Sequence, residues 1–251
     1  MGPSQTNPAI ILRTRAYGES DKIVIFLTED MGKLTGIAKG ARNSRRRFAN
    51  CLDPFTRVQV HFRTRPNAGM VFMESCDLLE PPGALSDPAK FAYGSYLVEL
   101  IDQLTAEAQP VHELYHLLVE GLGELRRGAA TTAFLRAFEL RVLQHTGYEP
   151  QLQRCARCQR PVSEAERAFL DALDGGIVCG SCRANGQPVV PVAGETLAVL
   201  TQIKAVTLAD ARLRQLSAAT AAEAAQLMSR LLALHLSRPL QSVKLIAALA
   251  R

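Results

Sequence analysis

Four of the six cysteines fall in two pairs, CARC (Cys155, Cys158) and CGSC (Cys179, Cys182), with 20 residues between the pairs. Two thiolates separated by two residues can reach one ion from a tight turn. Two such turns supply the four sulfurs of a closed tetrahedral site. The spacing predicts one structural Zn2+ held by Cys155, Cys158, Cys179 and Cys182. Four cysteines leave no open coordination position, so this metal would not be catalytic. Gly180 within the second pair and Gly175-Gly176 before it suit tight turns. A redox pair would need a thioredoxin-like βαβ context, which the flanking sequence lacks. Cys51 and Cys76 are unpaired in this pattern and read as buried strand or core residues.

A second constellation points to different chemistry. Residues 112–116 read HELYH. In a helix, His112 and His116 at i and i+4 could bind zinc while Glu113 acts as a general base, with Glu139 as a possible third ligand. That is the alternative reading, a zinc metallohydrolase. The plainer reading is an amphipathic helix with Val111, Leu114, Leu118, Leu122 and Leu125 as its apolar stripe and the histidines beside it. The residues that follow predict helices rather than the edge strand a protease cleft needs. No phosphate-binding G-x-x-x-x-G-K-[ST] loop, G-x-S-x-G elbow or G-x-G-x-x-G turn occurs in the sequence. The expectation is a protein that is not an enzyme.

The third feature is charge. The chain has 251 residues and a net charge of +5. Residues 1–80 hold 12 Lys and Arg against 8 Asp and Glu, so most of the excess is there. Residues 39–47 read KGARNSRRR, and no acid occurs between Asp30 and Asp53. Such a run cannot enter a core, and a localised basic excess favours a polyanion.

The elements that would position these residues change character along the chain. Five stretches, PAIILRTRAYG, DKIVIFLTED, GKLTGIAKGA, TRVQVHFRT and GMVFMESCDLL, are rich in Ile, Val, Phe and Thr and bounded by turn residues. Val58, Val60 and Phe62 alternate with polar residues, as on a half-buried strand. DKIVIFL is apolar after its first two residues and should be central. Five short strands predict a small closed barrel, an OB-fold ahead of an SH3-like barrel. EPPGALSDP at 80–88 breaks the pattern. Helices follow, starting from a cap at Ser86 toward Ala108, then at about 111–127 and 131–147, the last stopping at Gly147. Beyond the cysteines come 193–204, 207–214, 217–237 and 240–250. The predicted class is α+β. An OB-fold domain at 1–80 precedes a helical domain at 81–251, with a zinc module inserted at 151–188. Hydrophobic residues make up 47% and charged residues 21%, ordinary for a globular chain. No apolar run approaches the roughly 18 residues of a membrane span. The N-terminus lacks a secretory pattern, so the expected location is cytoplasmic and at the nucleoid, with no membrane partner.

Several stretches together resemble a known family. YGESDKIVIFLTEDMGKLTGIAKGAR and the following LDPF resemble the N-terminal barrel of the bacterial recombination mediator family RecO. FELRVLQHTGYEPQLQRCARC resembles the helix leading into that family's zinc segment, and RPLQSVKLIAAL its closing helix. The resemblance runs in the same order from about residue 8 to 250. It implies an OB-fold, a helical domain and a four-cysteine zinc module. It also implies binding of single- and double-stranded DNA, annealing of complementary strands, and partnership with RecR. The acidic C-terminal tail of single-stranded DNA-binding protein is a further implied partner, and the implied role is loading recombinase onto coated strands. For the tail, Arg136 and Arg141 on the 131–147 helix are the cations considered.

On this reading KGARNSRRR is a barrel loop. Lys39, Arg42, Arg45, Arg46 and Arg47 would meet phosphates, with Lys33, Arg57, Arg63 and Arg65 extending the track. Tyr17, Phe48 and Phe62 are the aromatics considered for stacking, with core packing favoured for Phe62.

Overall fold

The computed structural model describes residues 2–64, 69–80, 85, 87–171, 174–183 and 190–249. They form two compact units, Met1–Arg126 with Leu240–Arg251, and Arg127–Pro239.

The first unit is built on five strands, β1 (Ser4–Tyr17), β2 (Asp21–Thr28), β3 (Gly32–Ala38), β4 (Arg57–Arg63) and β5 (Val71–Glu80). They close into a barrel in the order β1-β2-β3-β5-β4, with β4 returning to β1. The β3–β5 pairing is parallel and the others are antiparallel. This order makes the barrel an OB-fold rather than an SH3-like one. As its apolar run requires, β2 lies between β1 and β3 and is buried at five of its eight residues. Along β4, Val58, Val60 and Phe62 point inward and their neighbours outward. Phe26 meets Phe62 edge to face, centroids 6.2 Å apart, at the centre of the barrel core. Cys51 and Cys76 are buried as expected, but they are also joined by a disulfide. Their pairing could not be seen from spacing, because the barrel brings together residues 25 apart with Cα atoms 6.4 Å apart.

Three helices complete this unit, α1 (Pro88–Leu104), α2 (His112–Arg127, whose last residue falls in the second unit) and α7 (Ser242–Leu249). Asp87 caps α1, accepting from the Lys90 N–H at 3.0 Å; the expected cap, Ser86, lies outside the described residues. Polar ties hold the helices to the barrel. The Lys33 ammonium donates to both the backbone carbonyl and the carboxylate of Asp102. Arg57 lies between Glu80 and the Tyr115 hydroxyl. Glu99 accepts from the backbone N–H and the hydroxyl of Ser242, fastening α7 to α1. These ties explain why the compact unit continues past the compositional break at residue 80.

In the second unit α3 (Thr132–His145) is buried along nearly its whole length. Thr131 caps it by accepting from the Phe134 N–H, and Gly147 (φ +81°) ends it, as expected. An internal ion pair, Arg136 to Glu139 at 2.9 Å, sets the two charges that this burial encloses against each other. Three short strands were not anticipated, β6 (Arg167–Asp171), β7 (Gly176–Val178) and β8 (Val190–Ala193), forming a sheet ordered β7-β6-β8. They are too short to produce a periodic signal. Helices α4 (Gly194–Ala205), α5 (Leu208–Leu213) and α6 (Ala218–Ala233) follow. The sequence suggested continuation of α6 to 237, but it ends at a cap on Leu234.

Candidate nucleic-acid interface and metal centre

The loop between β3 and β4 carries KGARNSRRR, and four polar contacts shape its start. Gly40 has φ +66°, the left-handed region that glycine enters freely. Its N–H donates to the Asp21 carboxylate at 2.8 Å. The Arg42 N–H donates to the Ser20 carbonyl, and the Arg42 guanidinium to the Glu19 carbonyl. The Asn43 N–H returns to the Gly40 carbonyl, making the turn that Asn43-Ser44 suggested. Further on, the Arg47 guanidinium donates to the Lys39 carbonyl and lies over the Phe48 ring. The Cys76 N–H donates to the Arg47 carbonyl, and the Cys51–Cys76 disulfide anchors the loop to β5 just beyond.

The predicted cations therefore divide into two groups. Lys39, Arg42, Arg45, Arg46 and Arg47 are exposed on this one loop, and among the described residues none is paired with a carboxylate. The proposed extension behaves differently. Lys33 is paired with Asp102 at 3.2 Å, Arg57 with Glu80 at 2.9 Å and Arg63 with Glu74 at 2.6 Å. Each is held by a residue 11 to 69 positions away, invisible to a local reading. Arg65 lies outside the described residues. Of the aromatics, Tyr17 is half exposed, while Phe48 and Phe62 are buried in the barrel core. Phe48 therefore does not offer an open stacking face.

Beside the loop is a cleft of about 400 Å³. Arg42 and Arg45 line it, as expected of loop cations. Lys22 from β2, Asn50 and Asp53 also line it, and the sequence reading missed them. No local signal marks them, because Lys22 reaches the cleft only through the β2–β3 pairing that sets Lys22 opposite Ala38.

The four-cysteine module gathers as the spacing predicted. The Sγ atoms of Cys155, Cys158, Cys179 and Cys182 lie within 4.8 Å of one another. Cys158 and Cys179 are 3.8 Å apart, matching the edge of about 3.8 Å in a tetrahedron with metal–sulfur bonds of about 2.3 Å. Burial alone would raise the Cys155 thiol, but N–H groups of Cys158, Cys179 and Arg157 point at it and together bring its pKa down to about 6. Hydrogen bonding to the neighbouring Cys158 and Cys179 sulfurs instead pushes Cys182 up to about 12. This crowding of four thiols is relieved when a cation replaces their protons. Arg157 braces the module, donating to the Cys182 carbonyl and to Asp171 and Asp174. Gly175 is left-handed, and a Cβ on Gly176 would meet the Gln151 carbonyl oxygen at 2.6 Å. Gly180 needs no such latitude, because a Cβ there would meet open space.

HELYH does not assemble a comparable site. His112, Glu113 and His116 are exposed on α2, and His116 pairs with Glu29 at 3.3 Å. Glu139 is occupied with Arg136. Among the described residues the one group of three or more potential ligands within metal-binding distance is the four cysteines. Arg136 is buried in its ion pair and Arg141 donates to the Val206 carbonyl, so both are engaged within their own unit. No helix among the described residues is long and apolar enough to cross a membrane.

Two family models cover the chain. Residues 1–82 match the family described as Recombination protein O N terminal, and residues 85–244 match Recombination protein O C terminal. Curated proteins named DNA repair protein RecO are similar along nearly their whole length. That of Anaeromyxobacter dehalogenans (strain 2CP-C) is 39% identical over 92% of this chain and 91% of its own. That of Myxococcus xanthus (strain DK1622) is 36% identical over 95% of each. That of Syntrophus aciditrophicus (strain SB) is 33% identical over 96% of this chain and 94% of its own.

Proposed function

Because this chain belongs to the recombination protein O family, whose named relatives are DNA repair proteins, we propose that it is a non-catalytic mediator that binds single- and double-stranded DNA. In this reading it anneals complementary strands and, with RecR, helps load recombinase onto strands coated by single-stranded DNA-binding protein. The observation that carries the reading is the set of five exposed cations on the β3–β4 loop, with no carboxylate paired to them among the described residues. Cations already tied to carboxylates release little on meeting phosphate, whereas these five displace counterions from the strand. Contact through phosphates alone gives affinity without sequence preference, which annealing requires. Holding two strands on one basic surface lowers their mutual repulsion, and no covalent step is needed. RecR and the acidic tail of single-stranded DNA-binding protein are the partners the family resemblance implies. We read the metal of the four-cysteine module as one structural Zn2+, since four thiolates suit zinc and close its coordination.

The test is fluorescence anisotropy with a single-stranded oligonucleotide across a salt series. If all five cations meet phosphates, log K falls against log salt with a slope of roughly −3.5. Changing Arg45, Arg46 and Arg47 together to Glu should abolish most of the binding and flatten that slope. Tight binding untouched by the triple change would remove the loop from the interface. No binding by the unaltered chain would overturn the reading.

A further inference from the structure

Resting on the DNA-binding reading, we infer that the cleft beside the basic loop is a pocket for one unpaired base of a single strand. Lys22, Arg42 and Arg45 supply positive charge at its rim, against the single carboxylate of Asp53. Phe48 and Leu52 line its bottom; both are almost wholly buried, so they offer a small apolar surface and not a stacking face. Asn50 contributes an amide. An apolar floor under a ring of donors and acceptors matches a nucleobase, which offers an apolar face and a hydrogen-bonding edge. The volume of about 400 Å³ falls within the range of small-ligand sites, roughly 300–1,000 Å³.

Of the charged and amide groups of the cleft, Arg42 is partly engaged, through the Glu19 carbonyl, and three others are not. Among the described residues, the side chains of Lys22, Arg45 and Asn50 form no hydrogen bond or ion pair. Lys33, Arg57 and Arg63 on the same barrel are all tied to carboxylates. Asn50 is also held in the left-handed region, at φ 56°. That conformation is disfavoured for a residue with a side chain, though asparagine tolerates it better than most. It sits where its amide can read a base edge as both donor and acceptor. A base stacked in a duplex cannot enter, because it would have to leave its pair and its neighbours. The cleft therefore adds to single-strand binding and not to duplex binding.

The experiment uses the full chain and three probes of equal length: a single strand, a single strand of abasic sites, and a duplex. The unaltered protein should bind the ordinary strand about fivefold more tightly than the abasic one, the size of one or two hydrogen bonds to a base edge. Asn50→Gly removes the amide but keeps the left-handed backbone without strain, so the fold is preserved. It should narrow that ratio and leave abasic-strand and duplex affinities unchanged. Equal binding of ordinary and abasic strands would overturn the base pocket and leave the phosphate-binding loop standing. So would a ratio that survives Asn50→Gly, or a variant that weakens all three probes alike. No binding of any probe would overturn the DNA-binding reading itself, and the pocket with it.

Discussion

The carboxylate of Asp21 accepts a hydrogen bond from the backbone N–H of Gly40 at 2.8 Å, joining the start of β2 to the first residues of the basic loop. Two of the stretches that carry the family resemblance, YGESD and KGAR, are thus the two sides of one hydrogen-bonded joint. The joint fixes where the cations begin. Asp21→Ala should cost roughly 1–3 kcal/mol, the worth of a hydrogen bond to a charged group. It should also weaken single-strand binding several-fold by loosening the loop, although Asp21 itself repels phosphate. Urea unfolding and anisotropy on the same variant test this together. A variant that binds DNA more tightly would mean that Asp21 acts through its charge and not as an anchor.

Asp102 faces two cations, Lys33 at 3.2 Å and Arg13 at 3.1 Å. Lys33 is nearly buried, so Asp102→Ala leaves its ammonium with the backbone carbonyl at that position but no counter-charge, and should destabilise the first unit by about 3 kcal/mol. Replacing both partners, Lys33→Met with Asp102→Leu, should recover part of that loss, because the charge left behind, Arg13, is half exposed and solvated. A double variant as unstable as the single one would show that the ion pair is not what holds α1 to the barrel.

Metal analysis of the purified chain should find one zinc. Cys158→Ala should lower occupancy and unfold the module around β6 and β7, since such sites supply on the order of 10 kcal/mol to local folding. His112→Ala and Glu113→Ala should leave both the metal count and strand annealing unchanged. A second zinc lost with His112→Ala would revive a metal site at HELYH. Metal retention should also weaken as pH falls, because each thiolate must be regenerated from a thiol.

His235 stacks on Tyr148 with ring centroids 3.8 Å apart, and burial lowers its pKa from the ordinary value of 6.5. The folded form therefore protonates at lower pH than the unfolded chain. As pH drops below about 6.5, the unfolded state takes up protons first and the second unit loses stability, until the folded histidine also titrates. His235→Phe should keep the stack and remove this part of the acid dependence. Thermal unfolding at several pH values between 5 and 8 checks it, and an identical pH profile in the variant would rule out His235 as a contributor.

Much of this protein was legible without coordinates because its signals are local. The alternation of Val58, Val60 and Phe62 marks a strand with one buried face wherever it packs. The apolar run of β2 requires neighbours on both sides. Two C-x2-C turns can meet at one ion because each turn is short, so Cys155, Cys158, Cys179 and Cys182 converge as their spacing predicts. KGARNSRRR is bound to be solvated because its charge density forbids burial. Pairings between distant residues were decided only by the tertiary structure. Closure in the order β1-β2-β3-β5-β4 joins Cys51 to Cys76 and buries Phe48. It also brings Lys22 to the cleft beside Arg42. Lys33, Arg57 and Arg63 look as free in sequence as Arg45 does, but the fold sets a carboxylate against each of them. A cation's availability depends on what stands within about 4 Å of it, and in this chain those neighbours are set by strand pairing and helix docking.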